Sequence, residues 1–538
     1  MGALPALIQQ MLQPAFYPHP VQPPVQLLQT HISYILLTGD FAYKVKKHVS
    51  FGFLDFTTLE KRHYFCQEEL RLNQRLSPSL YLAVKAIGQK EGHFCWADKS
   101  QPVDVVEYAV QMRQFAQDGL FSHLFQSGQL TPELMQELGK LVAEFHAIAD
   151  TTPEIRDFGS RIAIQRVDES NYGISVPYIG RSQTQRQYDE TRAFTTQFFE
   201  QHAGWFEARQ LDDKIRECHG DLHLNNVCLV RDKNLEPDKN LEKIQIFDCI
   251  EFNQDFRNID VIYDVAFMVM DLEFQGRADL ANVFLNTYLE QTGDYWGAVL
   301  LPLYLSMRAS IRGNVNALAL DDPAIADTEK AIFQQRSQDY YHLAWRYTQR
   351  QPGYLVMMSG LSGSGKSTVA RQLAPALNAI HIRSDAVRKH LCGISLRSRG
   401  DQGGAVNSGI YTPEMTQMTY ARVLELGIFL AQQGWPVILD AKYDRQSLRE
   451  TAIATAEATH LPLHIVQCTA PIAVLKDRLE RRTGDVADAT ADLLTSQLQT
   501  AEPLTEQEQA IAFILHTEQD LEPQLSAFLS KCREGNKS

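Results

Sequence analysis

Residues 360–368, Gly360-Leu361-Ser362-Gly363-Ser364-Gly365-Lys366-Ser367-Thr368, satisfy the spacing G-x-x-x-x-G-K-[ST]. Glycines so placed let successive N–H groups face the phosphates of a nucleotide, and a following helix N-terminus adds partial positive charge. Lys366 is then the group that reaches the β- and γ-phosphates, and the Ser367 hydroxyl a ligand for Mg²⁺. A second cluster precedes it: His219-Gly220-Asp221-Leu222-His223-Leu224-Asn225-Asn226, then the apolar run 244–247 ending at Asp248. Two carboxylates and a carboxamide converging there offer the hard oxygen ligands that Mg²⁺ prefers. Asp221 is the candidate acceptor of a proton from an attacking hydroxyl, with Asn226 and Asp248 as the metal ligands. His223 reads as a support for the loop.

Both sets need rigid elements behind them. Residues 354–358 read as a buried strand and 369–373 as the start of a helix, so the glycine-rich loop sits between strand and helix. Residues 32–49 alternate like a hairpin around Thr38-Gly39-Asp40, with Lys44 and Lys46 on one face of the return strand and Tyr43 and Val45 on the other. An A-x-K strand is where a kinase-like fold carries the lysine that holds the α- and β-phosphates, so Lys44 is a candidate nucleotide and catalytic residue. A helix follows with Glu68 and Glu69, and such a fold pairs its strand lysine with a helix glutamate. Glu69 is the preferred partner, although nothing local separates it from Glu68.

In the last third, a short strand after the loop helix is followed by His381-Ile382-Arg383-Ser384-Asp385, and Asp385, at the carboxyl end of that second strand where open α/β sheets bind ligands, is the candidate base for an acceptor hydroxyl. Helix capping by Ser384 or Asp385 is the alternative use of the same residues. Arg388, one turn on, is placed to grip an anionic group of the acceptor. The strand 436–441 ends in Asp440, which suits a carboxylate that binds Mg²⁺ directly or through water. The helix 472–482 concentrates Arg478, Arg481 and Arg482, and Arg478 with Arg482 at i, i+4 are expected as lid arginines that neutralise charge during transfer. Acceptor contacts are expected in 393–409. The run 231–238 reads as a solvated hairpin, and the tail from Glu502 as acidic and helical.

The chain has 538 residues, more than one hydrophobic core usually organises. A polar stretch at 348–353 just before the loop strand sets the expected boundary, giving domains 1–349 and 350–538. The net charge of −14 counts against a nucleic-acid coat or an anionic-membrane binder. It lies mainly in the first domain: residues 353–538 hold 18 Lys+Arg against 20 Asp+Glu, leaving 33 against 45 before them. The eight cysteines are scattered without a C-x-x-C pair, so no zinc site or disulfide framework is suggested. Residues 1–30 do not resemble a signal peptide, there is no run of about 18 apolar residues, and a cytoplasmic protein with no membrane partner is expected. The sequence assigns no oligomeric state.

Residues 32–315 resemble the aminoglycoside and choline kinase-like phosphotransferases, whose loop reads H-G-D-x-H-x-x-N. The segment Asp260-Val261-Ile262-Tyr263-Asp264-Val265-Ala266-Phe267 is part of that match. Gly39 is the only glycine where a kinase would carry G-x-G-x-x-G, so nucleotide clamping there must differ. Residues 353–504 resemble the P-loop kinases that include gluconate kinases, adenylylsulfate kinases, zeta toxins and polynucleotide 5'-kinases, through the loop, Ser384-Asp385-x-x-Arg388, and the 437–441 strand with Arg445 and Arg449. Together the chain looks like a bacterial fusion of the two. The resemblance implies an α+β protein-kinase-like domain followed by an α/β P-loop domain with a mostly parallel sheet. It implies ATP and Mg²⁺ as cofactors and small-molecule hydroxyl acceptors for two phosphoryl transfers. Two alternatives stand beside it: a polynucleotide 5'-hydroxyl kinase in the second half, and a non-catalytic nucleotide-binding regulatory first half.

Overall fold

The computed structural model describes residues 4–52, 54–97, 103–231, 242–323, 325–349, 351–398, 409–481 and 491–535. The chain forms two compact units. Among the described residues no helix is long and apolar enough to cross a membrane.

The first unit comprises Met1–Thr131, Glu144–Asp271 and Tyr304–Ala344. Its sheet has β1 (Gln26–Gln29), β2 (Ser33–Leu37), β3 (Phe41–Lys46), β4 (Tyr81–Lys90), β5 (His93–Trp96) and β6 (Asp104–Arg113), in the order β1-β2-β3-β6-β4-β5 with every pair antiparallel. β3 is central and buried on both faces. Tyr43 and Val45 enter an apolar cluster with Met11, Tyr17 and Leu36, and the alternation of a strand turns Lys44 and Lys46 the other way. The helix Leu59–Gln74 starts at Thr58, whose side chain accepts the Lys61 N–H, and buries Cys66, Glu69, Leu72 and Asn73. Beyond the sheet, β7 (Ile215–Glu217) pairs with β10 (Asn258–Asp260), and β8 (Val227–Arg231) with β9 (Glu242–Ile246), both antiparallel. The 218–226 loop runs from β7 to β8, and Asp248 follows β9. Residues 232–241, most of the run expected as a solvated hairpin, lie outside the described residues.

The second unit comprises Pro132–Ala143, Leu272–Leu303 and Trp345–Ser538. It is thus not only the segment after 349: the helix Ala278–Thr292 belongs to it, because Asn282 donates to the Ala379 carbonyl at 3.0 Å. The sheet has β11 (Tyr354–Ser359), β12 (Ile380–Arg383), β13 (Pro436–Asp440), β14 (Leu463–Thr469) and β15 (Ala512–His516), all parallel, in the order β12-β13-β11-β14-β15. Parallel strands covered on both faces read as continuous apolar runs, as β11 does. β15 corrects the expectation of a helical tail. Ala512-Phe513-Ile514-Leu515 is short and follows the acidic helix Glu506–Ile511, yet it finds an open edge beside β14 and extends the sheet.

Candidate active sites

In the first unit, Lys44 Nζ lies 2.7 Å from Glu69 Oε1 and 2.6 Å from Asp248 Oδ1. The helix settles which glutamate is the partner. Glu69 faces the sheet and is fully buried, while Glu68, one residue round the helix, pairs with Arg71 at 2.8 Å. Sequence reasoning missed that Glu69 serves two lysines: Lys46 Nζ is 2.7 Å from Glu69 Oε2 and also binds Glu251. Burial would raise the Glu69 pKa, but the ammonium groups of Lys44 and Lys46 hold it down at about 2. Burial pushes Glu251 up. For Lys44 burial works against the charged form, yet Asp248 and Glu69 raise its pKa well above the ordinary lysine value. Asp248 itself has φ 63°, a left-handed conformation rare for a non-glycine residue. Its N–H donates to the Tyr81 hydroxyl at 3.2 Å.

The 218–226 loop is held through its backbone. Asp264 Oδ2 accepts the His219 N–H at 3.0 Å and Oδ1 the Gly220 N–H at 2.9 Å. Asp271 Oδ2 accepts the Leu224 N–H at 3.0 Å. The two acids are seven residues apart on the helix Val261–Phe274, hence on one face, and that spacing inside an apolar helix was the signal available in the sequence. Gly220 has φ 86°, and a Cβ there would stand 2.6 Å from the Phe256 carbonyl oxygen, so a larger residue does not fit. His219 donates from Nε2 to the Phe247 carbonyl at 2.9 Å and accepts the Asp221 N–H at Nδ1, and burial lowers its pKa, so it is a neutral brace.

Asn226 Nδ2 donates to Asp221 Oδ2 at 3.0 Å and to the Asp221 carbonyl at 2.9 Å. His223 is more than a loop support: Nδ1 accepts the Asn225 N–H and Nε2 meets Asp221 Oδ2 at 3.2 Å. Burial would raise the Asp221 pKa, but His223 and Arg312 hold it well below the usual carboxylate range, which keeps it an anion ready to accept a hydrogen bond.

In the second unit the glycine-rich loop joins β11 to the helix Lys366–Leu377. Gly360 has φ 136°, and a Cβ there would fall 2.4 Å from the Cys468 carbonyl oxygen. Lys366 Nζ donates to the Leu361 carbonyl at 2.8 Å, and burial lowers its pKa. The Ser362 N–H donates to Gln497 Oε1 at 3.1 Å. Ser364 Oγ is buried with no hydrogen-bond partner among the described residues, an orphaned polar atom inside the cradle. Ser367 is half-buried in the first turn, followed by Thr368, with Gly363 and Gly365 flanking Ser364.

Asp440, at the end of β13, is 4% exposed, and its Oδ2 accepts from His381 Nε2 at 3.0 Å with Arg383 Nε 3.8 Å away. Burial would raise its pKa, but the His381 hydrogen bond keeps it at about 2. Asp385 is half-buried in the first turn of the helix Ser384–Leu391, whose cap is Arg383 with no side-chain cap bond, so the capping use of Ser384 or Asp385 is not what the chain adopts. Arg388 is engaged on the chain itself: Nη1 donates to the Ile410 carbonyl and Thr416 Oγ1, both at 3.2 Å, and the guanidinium lies over the Tyr411 ring. Its Nε is buried without a hydrogen-bond partner among the described residues.

Arg478 differs from the lid expectation. It donates to the Gly363 carbonyl at 3.3 Å, to Thr517 Oγ1 at 2.9 Å and to the Thr517 carbonyl at 2.8 Å, clasping the loop to the end of β15. Thr517 in turn donates to the Ser364 carbonyl at 2.9 Å, a contact invisible without β15. Arg481 pairs with Asp477 in solvent. Arg482 lies outside the described residues, as do 399–408 of the expected acceptor segment. Arg449 is buried on Glu508 at 2.8 Å and three carbonyls, a structural clamp.

Residues 355–504 match a family model described as an AAA domain. The uncharacterized protein Rv2004c of Mycobacterium tuberculosis strain H37Rv is 28% identical over 482 residues, 88% of this chain and 90% of that protein. Among solved structures, a choline/ethanolamine kinase family protein from Mesorhizobium loti is 12% identical, covering 64% of this chain and 97% of that one with a TM-score of 0.37. A gluconokinase from Sinorhizobium meliloti 1021 is 26% identical, covering 35% of this chain and 97% of that one with a TM-score of 0.25. Residues 355–504, which match the AAA domain model, carry the glycine-rich loop between β11 and the helix Lys366–Leu377 on a parallel sheet, while the first unit is α+β around a six-stranded antiparallel sheet.

Proposed function

We propose that the chain is a bifunctional ATP- and Mg²⁺-dependent phosphotransferase, each half moving a γ-phosphoryl group onto a hydroxyl of a small molecule. The observation that carries this is the convergence in the first unit. Lys44 from β3 meets Glu69 from the helix and Asp248 from the loop after β9, while Asn226 engages Asp221 across the preceding loop. The donor sets fit Mg²⁺. With Asn226 Nδ2 bound to Asp221, Oδ1 is left as its ligand atom beside the Asp248 carboxylate, and Ser367 with Asp440 offers oxygen only. Mg²⁺ bound there would neutralise charge on the phosphate oxygens.

Asp221 accepts the acceptor's proton as the acceptor oxygen bonds to the γ-phosphorus and the bond to ADP breaks. His223 and Asn226 fix the carboxylate that does so, and Lys44 holds the phosphates. In the second unit the loop N–H groups and Lys366 hold the phosphates, the Ser364 hydroxyl offers a further donor, and Asp385 takes the proton.

A second reading has one observation behind it. The Gly39 N–H, the backbone donor a nucleotide-covering turn would aim at phosphate, is bonded to Gln114 Oε1 at 2.8 Å, which favours a first half that binds nucleotide without turnover. Transfer of labelled γ-phosphate from ATP into a desalted metabolite extract and a 5'-hydroxyl oligonucleotide separates the readings, using wild type, Asp221→Ala and Lys366→Ala. Two products, each lost in a different variant, are expected. A single product lost only with Lys366→Ala would leave the first half as a binding module, and label in the oligonucleotide would make the second half a polynucleotide kinase.

A further inference from the structure

Among the described residues, the outer edge of the P-loop sheet at β12 is closed by side chains rather than by another strand. On the helix Ala278–Thr292, Asn286 Oδ1 accepts the His381 N–H at 2.7 Å and Asn286 Nδ2 donates to the Ala379 carbonyl at 2.9 Å. The carboxamide thus supplies the acceptor and donor that a neighbouring strand would give to edge strand β12. One turn on, Glu290 Oε1 accepts from Arg383 Nη1 at 3.1 Å, and its backbone carbonyl accepts from His390 Nε2 at 2.8 Å. The Tyr295 hydroxyl reaches the His381 carbonyl at 3.5 Å.

His381 and Arg383 are two residues apart on β12 and therefore share a face. That face is the one on which Asp440 lies, since Arg383 and Asp440 are register partners. Both side chains approach the same oxygen, Asp440 Oδ2: His381 to 3.0 Å and Arg383 Nε only to 3.8 Å. Arg383 is closer to Glu290 than to Asp440, although all three groups are at least four-fifths buried and a buried guanidinium binds a carboxylate strongly at short range.

We propose that Glu290 is a positioning residue of the P-loop centre: by anchoring Arg383 it keeps the guanidinium off Asp440 and leaves that carboxylate to serve Mg²⁺. The proposal rests on the reading of Asp440 as the metal-side acid. Removing the Glu290 charge releases Arg383 onto Asp440, where a direct ion pair competes with the cation. The helix that carries Glu290 lies before residue 350 in sequence, so the P-loop centre is completed by a segment outside its own matched family region.

The test uses the full chain with Asp248→Asn, which removes a metal ligand of the first centre, and reads equilibrium binding of a fluorescent ATP analogue while Mg²⁺ is titrated. Lys366→Ala in that background defines the P-loop contribution. Glu290→Gln is expected to raise the Mg²⁺ concentration for half-maximal tightening by about tenfold or more, the scale seen when an outer partner of a metal ligand is removed. Metal-free binding stays within about twofold, because the loop is untouched. Glu290→Asp retains part of the wild-type response. Glu290→Gln/Arg383→Met, which removes the competing guanidinium, recovers most of it with metal-free binding unchanged in both variants, whereas a merely structural role of Glu290 would move binding with and without metal together. An unchanged Mg²⁺ response in Glu290→Gln overturns the proposal, as does equal weakening with and without metal or a double variant no better than the single. If Glu290→Gln does not fold, Glu290→Asp decides, since a response identical to the parent's overturns the proposal. If the Asp248→Asn parent shows no Mg²⁺-dependent binding that Lys366→Ala abolishes, the reading of the P-loop centre fails, and the proposal with it.

Discussion

Lys44 and Lys366 are both buried and both stand where phosphate is expected, yet they are held in opposite ways. Lys44 meets two carboxylates within 2.7 Å, and its pKa is raised. Lys366 meets a carbonyl, and burial lowers its pKa because Asp440 offsets that burial only in part. The first centre therefore carries its own counter-charge and is organised before any ligand arrives. The second leaves its cation short of counter-charge, and under the proposed function the phosphates of a nucleotide would supply it.

The largest effect expected from this comparison is on transfer. Asp221→Asn removes the proposed proton acceptor of the first centre alone and should lower its turnover by about 10²–10⁴-fold, with the P-loop product unchanged. Lys366→Ala should do the reverse. Steady-state rates on the two identified acceptors check both, and a variant that slowed both products together would break the independence of the centres.

The next effect is on stability and belongs to the first centre only. Glu69→Gln leaves Lys44 and Lys46 with one fewer carboxylate in a buried site, and breaking a buried ion pair from one side costs about 3–5 kcal/mol. Glu68→Gln, its neighbour in sequence, loses the pair with the partly exposed Arg71 and a longer, 3.8 Å approach to Arg257, and should cost less, about 1 kcal/mol. Urea unfolding of the two variants measures the difference. Equal losses would show that the buried network is not what organises this unit.

That pair also marks how far the sequence could be read. The glycine-rich loop, the His-Gly-Asp loop and the apolar strands that carry them were legible because each is a local pattern with a local cause. Glu69 against Glu68 needed the face of a helix relative to a sheet, which depends on what packs there. Lys46 with Glu251, Asp264 beneath the loop, and Thr517 behind Ser364 are separated in sequence by 44 to 205 residues from what they bind, and no local pattern encodes such contacts. Arg478 shows the converse. Its place on an arginine-rich helix suggested a lid, but β15, which the sequence hid behind an acidic segment, gives it Thr517 to hold.

A smaller effect sharpens the contrast from the side of the second centre. Ser364 Oγ is buried without a partner among the described residues, a condition that costs about 1–3 kcal/mol when nothing meets the hydroxyl. Ser364→Ala should therefore leave the stability of the free protein unchanged or slightly higher while weakening ATP binding at the P-loop several-fold. Thermal unfolding with and without ATP reads both signs at once. Loss of stability in the free protein would mean the hydroxyl already has a structural task.

A further effect follows from the two lysine pKa values. A lysine lowered by folding loses its proton before the unfolded chain does, so between its folded value and the ordinary 10.5 the unfolded state binds more protons and stability rises with pH. Lys44 has the opposite sign: its ion pairs stabilise the fold below 10.5, and that contribution is lost as pH rises through its elevated folded value. For ligand binding the order is clear. Phosphate requires the ammonium form, so ATP affinity at the P-loop should fall as pH climbs past the lowered Lys366 pKa, approaching about tenfold per pH unit, while the first centre stays flat over the same range. ATP titrations from about pH 7 to 10 in Asp248→Asn and in Lys366→Ala read the two centres separately. Parallel curves would mean that the Leu361 carbonyl and Asp440 hold Lys366 as firmly charged as Glu69 and Asp248 hold Lys44, and the distinction between a centre organised in advance and one organised by its ligand would not stand.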